Sequence, residues 1–300
     1  MIPCRGHGHL LPECLRSVLG QRETGEYEVI VVDSAGDDRV AEAVARYPAV
    51  RLIRSSEPLF AGPARNLGVQ HARGRCLAFI DADCVAEDTW LGAASRALGD
   101  ERVRIVGGPV GDLERRDWIA SADNLLQFSD LPGSRPAGTA RYVPACNMAM
   151  RKEDFLALDG FPRLHGGEDI LLCEAALTRW PLCLRFEPRM RVRHAGRKTW
   201  GEYLRHQADF GYCRAVNRLH LSPWHLRWGR YPGMIPAVAL KRLTYLLRSG
   251  VRYRGFGVWR TVALLPLLGP ALWTYAAGFA RGCREAAPQE AARLGPMGGS

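Results

Sequence analysis

The chain reads as an α/β protein: a mainly parallel sheet flanked by helices, followed by a C-terminal helical segment of membrane character. Two observations in the first half carry that reading. Short β-rich apolar runs alternate with amphipathic stretches of helical period through residue 106. Strands joined through helices in this way run parallel, by right-handed crossovers. The third observation lies at the other end. Residues 261–280 carry no formal charge and match the length of a bilayer core.

Each element follows from its own residues. Met1-Ile2-Pro3 reads as the end of a strand whose beginning precedes the chain. Residues 9–22 place Leu10, Leu11, Leu15, Val18 and Leu19 at helical spacing. Residues 27–32 are a β-rich run ending at Asp33, and 37–47 are helical, with Val40, Ala41, Val44 and Ala45 on one face. A short strand over 50–53 precedes a helix over 61–72, closed by Gly74. Residues 76–80 form a buried strand that stops at Asp81-Ala82-Asp83. A helix over 87–98 and a strand over 103–106 complete this half. Ligands of such sheets bind at the carboxyl ends of the strands, so Asp33 and Asp81 are expected to face one crevice. Beyond it, 129–139 is a Gly/Pro-containing loop, 142–150 a strand, 152–186 a mixture, and 199–219 a basic, aromatic helix.

The C-terminal portion changes character. Residues 261–280 are flanked by Arg260, Arg281 and Arg284. They contain Pro266, Gly269, Pro270 and Gly278, which membrane helices tolerate better than soluble ones. A second apolar stretch, 234–247, is interrupted by Lys241 and Arg242 and suits an interfacial amphipathic helix. The competing reading makes both of them core helices of a soluble domain. Trp224, Trp228, Tyr231, Tyr245, Tyr253 and Trp259 interleave with arginines, as in a belt beside anionic lipid. The expected division is a sheet-bearing domain over 1–222, a membrane-associated region over 223–285, and a disordered tail over 286–300.

Charge and cysteine usage narrow the partners. The net charge is +10, and residues 185–260 hold 17 basic and 3 acidic residues. That segment therefore sums to +14 (17 − 3) and the remainder to −4 (10 − 14). Such a segment suits nucleotides, anionic lipid or nucleic acid. No RNA-recognition or helix-turn-helix motif is present, so nucleic acid is not expected. The nine cysteines show no Cys-x-x-Cys spacing, which points to reduced, mostly buried thiols of an intracellular domain. No secretory leader opens the chain.

Two acidic pairs stand out. Asp81 and Asp83 put two hard oxygen ligands at a sheet edge, where a divalent cation could grip a diphosphate without a Walker loop. Taken alone, the same pattern also describes a turn after a strand. Glu168-Asp169 follows Gly166-Gly167 and opens the apolar helical run 170–177. Carboxylates there either project into a cleft or cap and charge the helix start.

The ordered set of these residues resembles a family. It runs Ile2-Pro3, Leu15-Arg16-Ser17-Val18-Leu19 and Val29-Ile30-Val31-Val32-Asp33-Ser34, then Gly62-Pro63-Ala64-Arg65-Asn66-Leu67-Gly68 and Ala72-Arg73-Gly74. Phe79-Ile80-Asp81-Ala82-Asp83, Trp90-Leu91 and Asn147-Met148-Ala149-Met150-Arg151 come next, followed by Gly160-Phe161, Gly167-Glu168-Asp169 and Val192-Arg193-His194. The set is similar to the family 2 glycosyltransferases of the GT-A fold, over residues 1–215.

The resemblance implies roles. Pro3, Asp33, Arg65 and Asp81 would bind the nucleotide sugar, Asp33 through a nucleobase N–H and Asp81 through the ribose. Asp83 and His194 would ligate Mg²⁺ or Mn²⁺ at the diphosphate. Glu168 would contact the acceptor or sugar, and Asp169 would act as general base, with inversion at the anomeric carbon. Asn66 would brace local backbone. Outside the resemblance, Asp33 also reads as a turn aspartate, Arg65 as an ion-pair residue and His194 as a structural histidine.

Two features refine the implied activity. Processive relatives carry Gln-x-x-Arg-Trp, whereas Gln207 is followed by Ala208-Asp209-Phe210, so transfer of a single sugar is expected. The family's Tyr-Asn after the Pro-x pair is Arg5-Gly6 here, which leaves the donor open. The implied partners are a nucleotide-diphosphate sugar, a glycan or lipid-linked acceptor, and an anionic membrane surface at the cytoplasmic face of a cell inner membrane. The alternative function is a catalytically silent membrane-docking scaffold. A glycoside hydrolase needs no nucleotide pocket. A nucleotidyltransferase needs a better Gly-rich basic loop than Arg5-Gly6-His7-Gly8.

Overall fold

A computed structural model describes residues 1–294 apart from 7, 35, 37, 218–222 and 254–256; the side chains at 223, 224, 226, 257, 258 and 287–294 are also outside the description. The chain divides into two units, one of residues 1–113 and 131–195, the other of 114–130 and 196–300.

The first unit opens with the alternation that the sequence predicts. It runs β1 (Ile2–Cys4), α1 (Leu11–Leu19), β2 (Val29–Asp33), α2 (Asp38–Ala45), β3 (Val50–Arg54), α3 (Ala61–His71) and β4 (Cys76–Ile80). β1 pairs parallel with β2, and β2 with β3. Met1 donates its N–H to Ala78 O at 2.9 Å and accepts from Ile80 N–H at 3.2 Å. One residue bonding to both i−1 and i+1 of its neighbour is the parallel pattern, so β4 continues this sheet beside β1. All five β2 residues are buried, as expected of a strand covered on both faces.

The rest of this unit adds antiparallel pairing. β5 (Cys84–Ala86), α4 (Trp90–Leu98), β6 (Ile105–Gly107) and β7 (Val110–Asp112) follow in order. The chain leaves for α5 (Trp118–Phe128) of the second unit and returns at β8 (Gly138–Thr139). Then come β9 (Asn147–Arg151), α6 (Lys152–Ala157), α7 (Glu168–Arg179), β10 (Leu184–Phe186) and β11 (Val192–His194). β9 runs antiparallel between β4 and β6, β10 is parallel to β6, and β8 is antiparallel to β10. The sheet is thus parallel through its first strands and mixed beyond β4. A small second sheet places β11 between β5, antiparallel, and β7, parallel.

Several sequence expectations shift here. The strand expected over 142–150 begins only at Asn147, because residues 142–146 form a loop. β5 had no sequence signal: three residues carry no period, and pairing with β11 creates it. All nine cysteines are free and eight are buried. Burial holds the thiols of Cys14, Cys84 and Cys173 well above their usual range, which makes them unreactive.

The second unit is helical: α5, α8 (Trp200–Val216), α9 (Pro223–Gly229), α10 (Ile235–Tyr253) and α11 (Gly257–Leu294). α8 starts on Thr199 as its N-cap. Thr199 Oγ1 accepts the Glu202 N–H at 3.3 Å and donates to Glu202 Oε2 at 2.9 Å. The core joins Ala122, Leu125 and Leu126 of α5 with Tyr203 of α8, Leu246 of α10, and Leu264, Leu268, Ala271 and Leu272 of α11. Within it Asp123 is fully buried. It accepts from Gln207 Nε2 at 3.0 Å and faces His206 Nδ1 at 2.9 Å and Arg197 at 3.8 Å. Burial opposes its charge, yet His206 and Arg197 outweigh burial and hold the carboxyl below its ordinary range. Gln207, which lacks the Arg-Trp of the processive motif, is spent on this bond.

α8 and α11 pack backbone against backbone. A Cβ on Gly278 would fall 2.0 Å from Ala208 O, and one on Gly211 would fall 2.0 Å from Tyr275 O. Gly278→Val is therefore expected to force the helices apart at a cost of about 1–3 kcal/mol. A lowered melting temperature in thermal denaturation checks this, and an unchanged one would contradict the close approach. A disordered tail is expected over 286–300, but α11 continues through Leu294, and 295–300 lie outside the described residues.

Candidate active site

The parallel strands of the first unit end in acids. β2 closes with Asp33, and β4 is followed directly by Asp81. Pro3 is buried on β1, paired with Val32. Asp33 is fully buried and accepts from Gly36 N–H at 3.0 Å. Arg54, at the end of β3, lies 3.8 Å from its Oδ2.

Arg65 organises the centre. It sits on α3, and its side chain is 2% exposed. One terminal nitrogen donates to Asp81 Oδ1 at 2.5 Å, and the other donates to Glu168 Oε1 at 2.7 Å. The guanidinium also lies over the Phe161 ring, 5.4 Å from its centroid. A planar fork reaches two carboxylates at once, which a single ammonium does not. Burial works to discharge Arg65, but Asp81 and Glu168 outweigh it and raise its pKa further. Asn66 braces backbone as expected: its amide donates to Phe161 O at 2.7 Å and accepts from Phe161 N–H at 2.9 Å.

The Glu168-Asp169 pair opens α7 behind two glycines in the left-handed region, Gly166 at φ 72° and Gly167 at φ 82°. That geometry excludes most side chains and turns the chain sharply. Burial pushes the Glu168 carboxyl up, Asp169 adds to this, and Arg65 opposes it. Asp169 Oδ2 accepts from Tyr142 O–H at 2.7 Å and Ala145 N–H at 3.1 Å, while Oδ1 accepts from Ile170 N–H at 2.9 Å. Tyr142 is itself held well above its usual range, by burial first and Asp169 second. So it stays a donor.

Asp83 meets His194 across the small sheet. His194 ends β11 opposite Cys84, and its Nε2 lies 3.5 Å from Asp83 Oδ2. The Ala195 N–H donates to Asp83 O at 2.9 Å and fixes that approach. Cys84 stands beside them: one ligand atom each from Asp83, Cys84 and His194 falls within 4.8 Å of the others. The carboxylate and the imidazole suit a divalent cation; the Cys84 thiol beside them is pushed well above its ordinary range by burial and stays a thiol.

The structure thus brings Arg65, Asp81, Glu168 and Asp169 together, and separately joins Asp83 to His194. Asp33 and Pro3 stand at the ends of the neighbouring strands. Sequence reading missed Tyr142 and Cys84, which belong to no quoted motif. It also missed a stack in which Arg5 lies over Phe60, at 5.4 Å, and Phe60 on His165, at 4.6 Å.

Comparisons with known proteins fit this geometry. A family model described as glycosyl transferase family 2 matches residues 1–157. The glycosyltransferase AglE of Haloferax volcanii is 30% identical over 175 residues, covering 56% of this chain and 57% of that protein. The pre-mycofactocin glycosyltransferase of Mycobacterium tuberculosis is 27% identical over 220 residues, covering 70% of this chain and 45% of that protein. The chain therefore spans about half the length of the curated relatives it matches.

Among solved structures, the mannosyltransferase PcManGT from Pyrobaculum calidifontis, in complex with GDP-Man and Mn²⁺, superposes with a TM-score of 0.55 at 20% identity, covering 98% of this chain and 79% of its own. TarS 1–349 of S. aureus gives a TM-score of 0.54 at 17% identity, covering 96% and 90%. These likenesses establish the GT-A fold expected from the sequence.

Proposed function

The chain belongs to glycosyl transferase family 2, and from that premise we propose that it is an inverting, metal-dependent glycosyltransferase. It moves one sugar from a nucleotide-diphosphate sugar to a lipid-linked or cell-envelope glycan, at the cytoplasmic face of a cell inner membrane. Residues 223–285 supply the membrane association. The observation that carries the transferase reading is the Arg65 bridge. It fixes Asp81, the first carboxylate after β4, and Glu168, at the start of α7, on one buried cation.

The residues divide the work. Pro3 and Asp33 at the ends of β1 and β2 wall the base, and Asp81 contacts the ribose. Asp83 and His194 would hold the divalent cation, Mg²⁺ or Mn²⁺, which would neutralise charge on the leaving diphosphate. The Mn²⁺ in the complex of the mannosyltransferase supports that assignment. Glu168 contacts the acceptor or the sugar.

Asp169 accepts the proton of an acceptor hydroxyl. That oxygen bonds to the anomeric carbon as the bond from this carbon to the diphosphate oxygen breaks, the electron pair leaving with the nucleoside diphosphate. One displacement inverts the centre.

A panel of nucleotide sugars with Mn²⁺ or Mg²⁺ tests the reading. Turnover should vanish with a chelator and return with the metal. Asp83→Asn should lower kcat/KM by about 10²–10³-fold, several kcal/mol of lost charge stabilisation, and should weaken Mn²⁺ binding seen by paramagnetic resonance. Undiminished turnover in that variant sinks the metal assignment. Donor binding without turnover on any acceptor supports the scaffold reading instead.

A further inference from the structure

On the proposed function the apolar end of the chain meets a membrane either across it or along it, and the second unit distinguishes the two. α11 contains the 28-residue apolar stretch Trp259–Ala286, whose most apolar window is 44% buried against protein. The buried side is continuous at helical spacing: Leu264, Leu268, Ala271, Leu272, Tyr275 and Phe279. Its cover is polar. α8 carries Glu202, Arg205, His206, Asp209 and Arg214 within 17 residues, and its backbone touches α11 at Gly278 and Gly211. Tyr203 of α8 donates to Leu267 O at 3.3 Å, and Arg242 of α10 lies 4.0 Å over the Tyr275 ring. Arg260 reaches Ser121 Oγ at 2.9 Å. If α11 crossed a bilayer, these helices would enter the hydrocarbon with it, at about 2.5–3.5 kcal/mol for each charged side chain.

The opposite side of α11 is bare. Trp259 is 84% exposed and Trp273 53%, with Val262 and Leu265 exposed between them. Ala263, Pro266, Gly269 and Pro270 complete this face, so it presents no charge and no side-chain hydrogen-bond donor but the indoles. The two tryptophans are 14 residues apart, about 21 Å along one face. Among the described residues, nine of the sixteen exposed large hydrophobics run from Trp228 to Trp273, so the apolar exposure concentrates in this unit. Charge selects the occupant: residues 223–284 contain ten basic residues and no acidic one, with Lys241, Arg248 and Arg252 exposed on α10. An uncharged tryptophan-edged face on a purely cationic segment complements an anionic lipid surface.

We infer that α11 lies in the plane of an anionic membrane surface and does not span the bilayer. Its Trp259–Trp273 face sits at the headgroup–acyl boundary, and α8 and α10 stay on the aqueous side. This deepens the membrane partner of the proposed function and rests on it. A resident acceptor lipid would then be met by a peripheral enzyme.

The test uses the full chain and vesicles of phosphatidylcholine with or without phosphatidylglycerol. Flotation should require the anionic lipid and weaken at 0.5 M salt. The double variant Trp259→Glu, Trp273→Glu should lower partitioning by at least about tenfold, and Lys241→Glu, Arg248→Glu should weaken it through charge alone. Nucleoside diphosphate binding by calorimetry should stay unchanged in both, which separates this inference from the transferase reading. Three results would overturn it: no flotation, flotation indifferent to the tryptophan variant, or a C-terminal epitope protected on the far side of sealed vesicles. Loss of an oligomer in the tryptophan variant with flotation intact would instead mark the face as a contact between copies.

Discussion

Arg65→Met is expected to lower the melting temperature by about 10 °C and to abolish turnover. Methionine fills much the same volume but leaves Asp81 and Glu168 facing a void of charge. Removing one member of a buried ionic group typically costs about 3–5 kcal/mol, and for a unit of this size each kcal/mol is worth about 2–4 °C. The loss depends on pH with a definite sign. Burial already pushes the Glu168 carboxyl up with Arg65 in place, and without the cation it rises further. A folded-state carboxyl above its unfolded value stabilises at low pH and loses that contribution as pH rises through the folded value. The variant should therefore lose most stability near and above neutral pH, and less in acid. Arg65→Met combined with Glu168→Gln should regain part of the loss, since the uncompensated charge is gone. Arg65→Lys should fall between, because one ammonium does not span both carboxylates. A melting temperature for Arg65→Met within about 2 °C of the parent would show that the bridge is not structural.

What the sequence disclosed about Arg65 illustrates its reach. The cation, its helix and its place before the acid-tipped strand were legible, because local period and composition write them. Its partners stand 16 and 103 positions away, and no periodicity records a pairing of that range. So the residue that the resemblance assigns to the nucleotide also holds two acids. β2 was legible for the opposite reason: a strand buried on both faces must be apolar throughout. Tyr142 was read as the start of a strand from its β-favouring neighbours. The strand waits for Asn147, whose amide is consumed by Trp90, Pro109 and Met190, and Tyr142 is left in a loop to reach Asp169. Asp123 shows the same limit: no local pattern records that a buried acid of α5 meets His206, Gln207 and Arg197.

Asp169→Asn should lower kcat by about 10²–10⁴-fold, the usual contribution of a general base, with donor affinity preserved. The geometry separates this residue from its neighbour. Glu168 gives Oε1 to the Arg65 guanidinium; a carboxylate so paired with a buried cation is a poor proton acceptor. Asp169 is held by donors alone: Tyr142 O–H, Ala145 N–H and Ile170 N–H. Three donors fix its orientation, and a carboxylate with about four lone-pair sites keeps one for an acceptor hydroxyl.

Two further variants test the division. Tyr142→Phe removes one hydrogen bond to a charged acceptor, worth about 1.5–3 kcal/mol. It should lower kcat by about tenfold or more while leaving the base in place. Glu168→Gln should cost stability through Arg65 before it costs chemistry. Asparagine at 169 sets an amide toward the Ala145 N–H, so circular dichroism and donor binding must accompany the kinetics. If both match the parent and kcat is unchanged, proton abstraction belongs elsewhere. If kcat falls while Glu168→Gln turns over normally below its melting temperature, the two adjacent acids are divided as proposed, one for architecture and one for the proton.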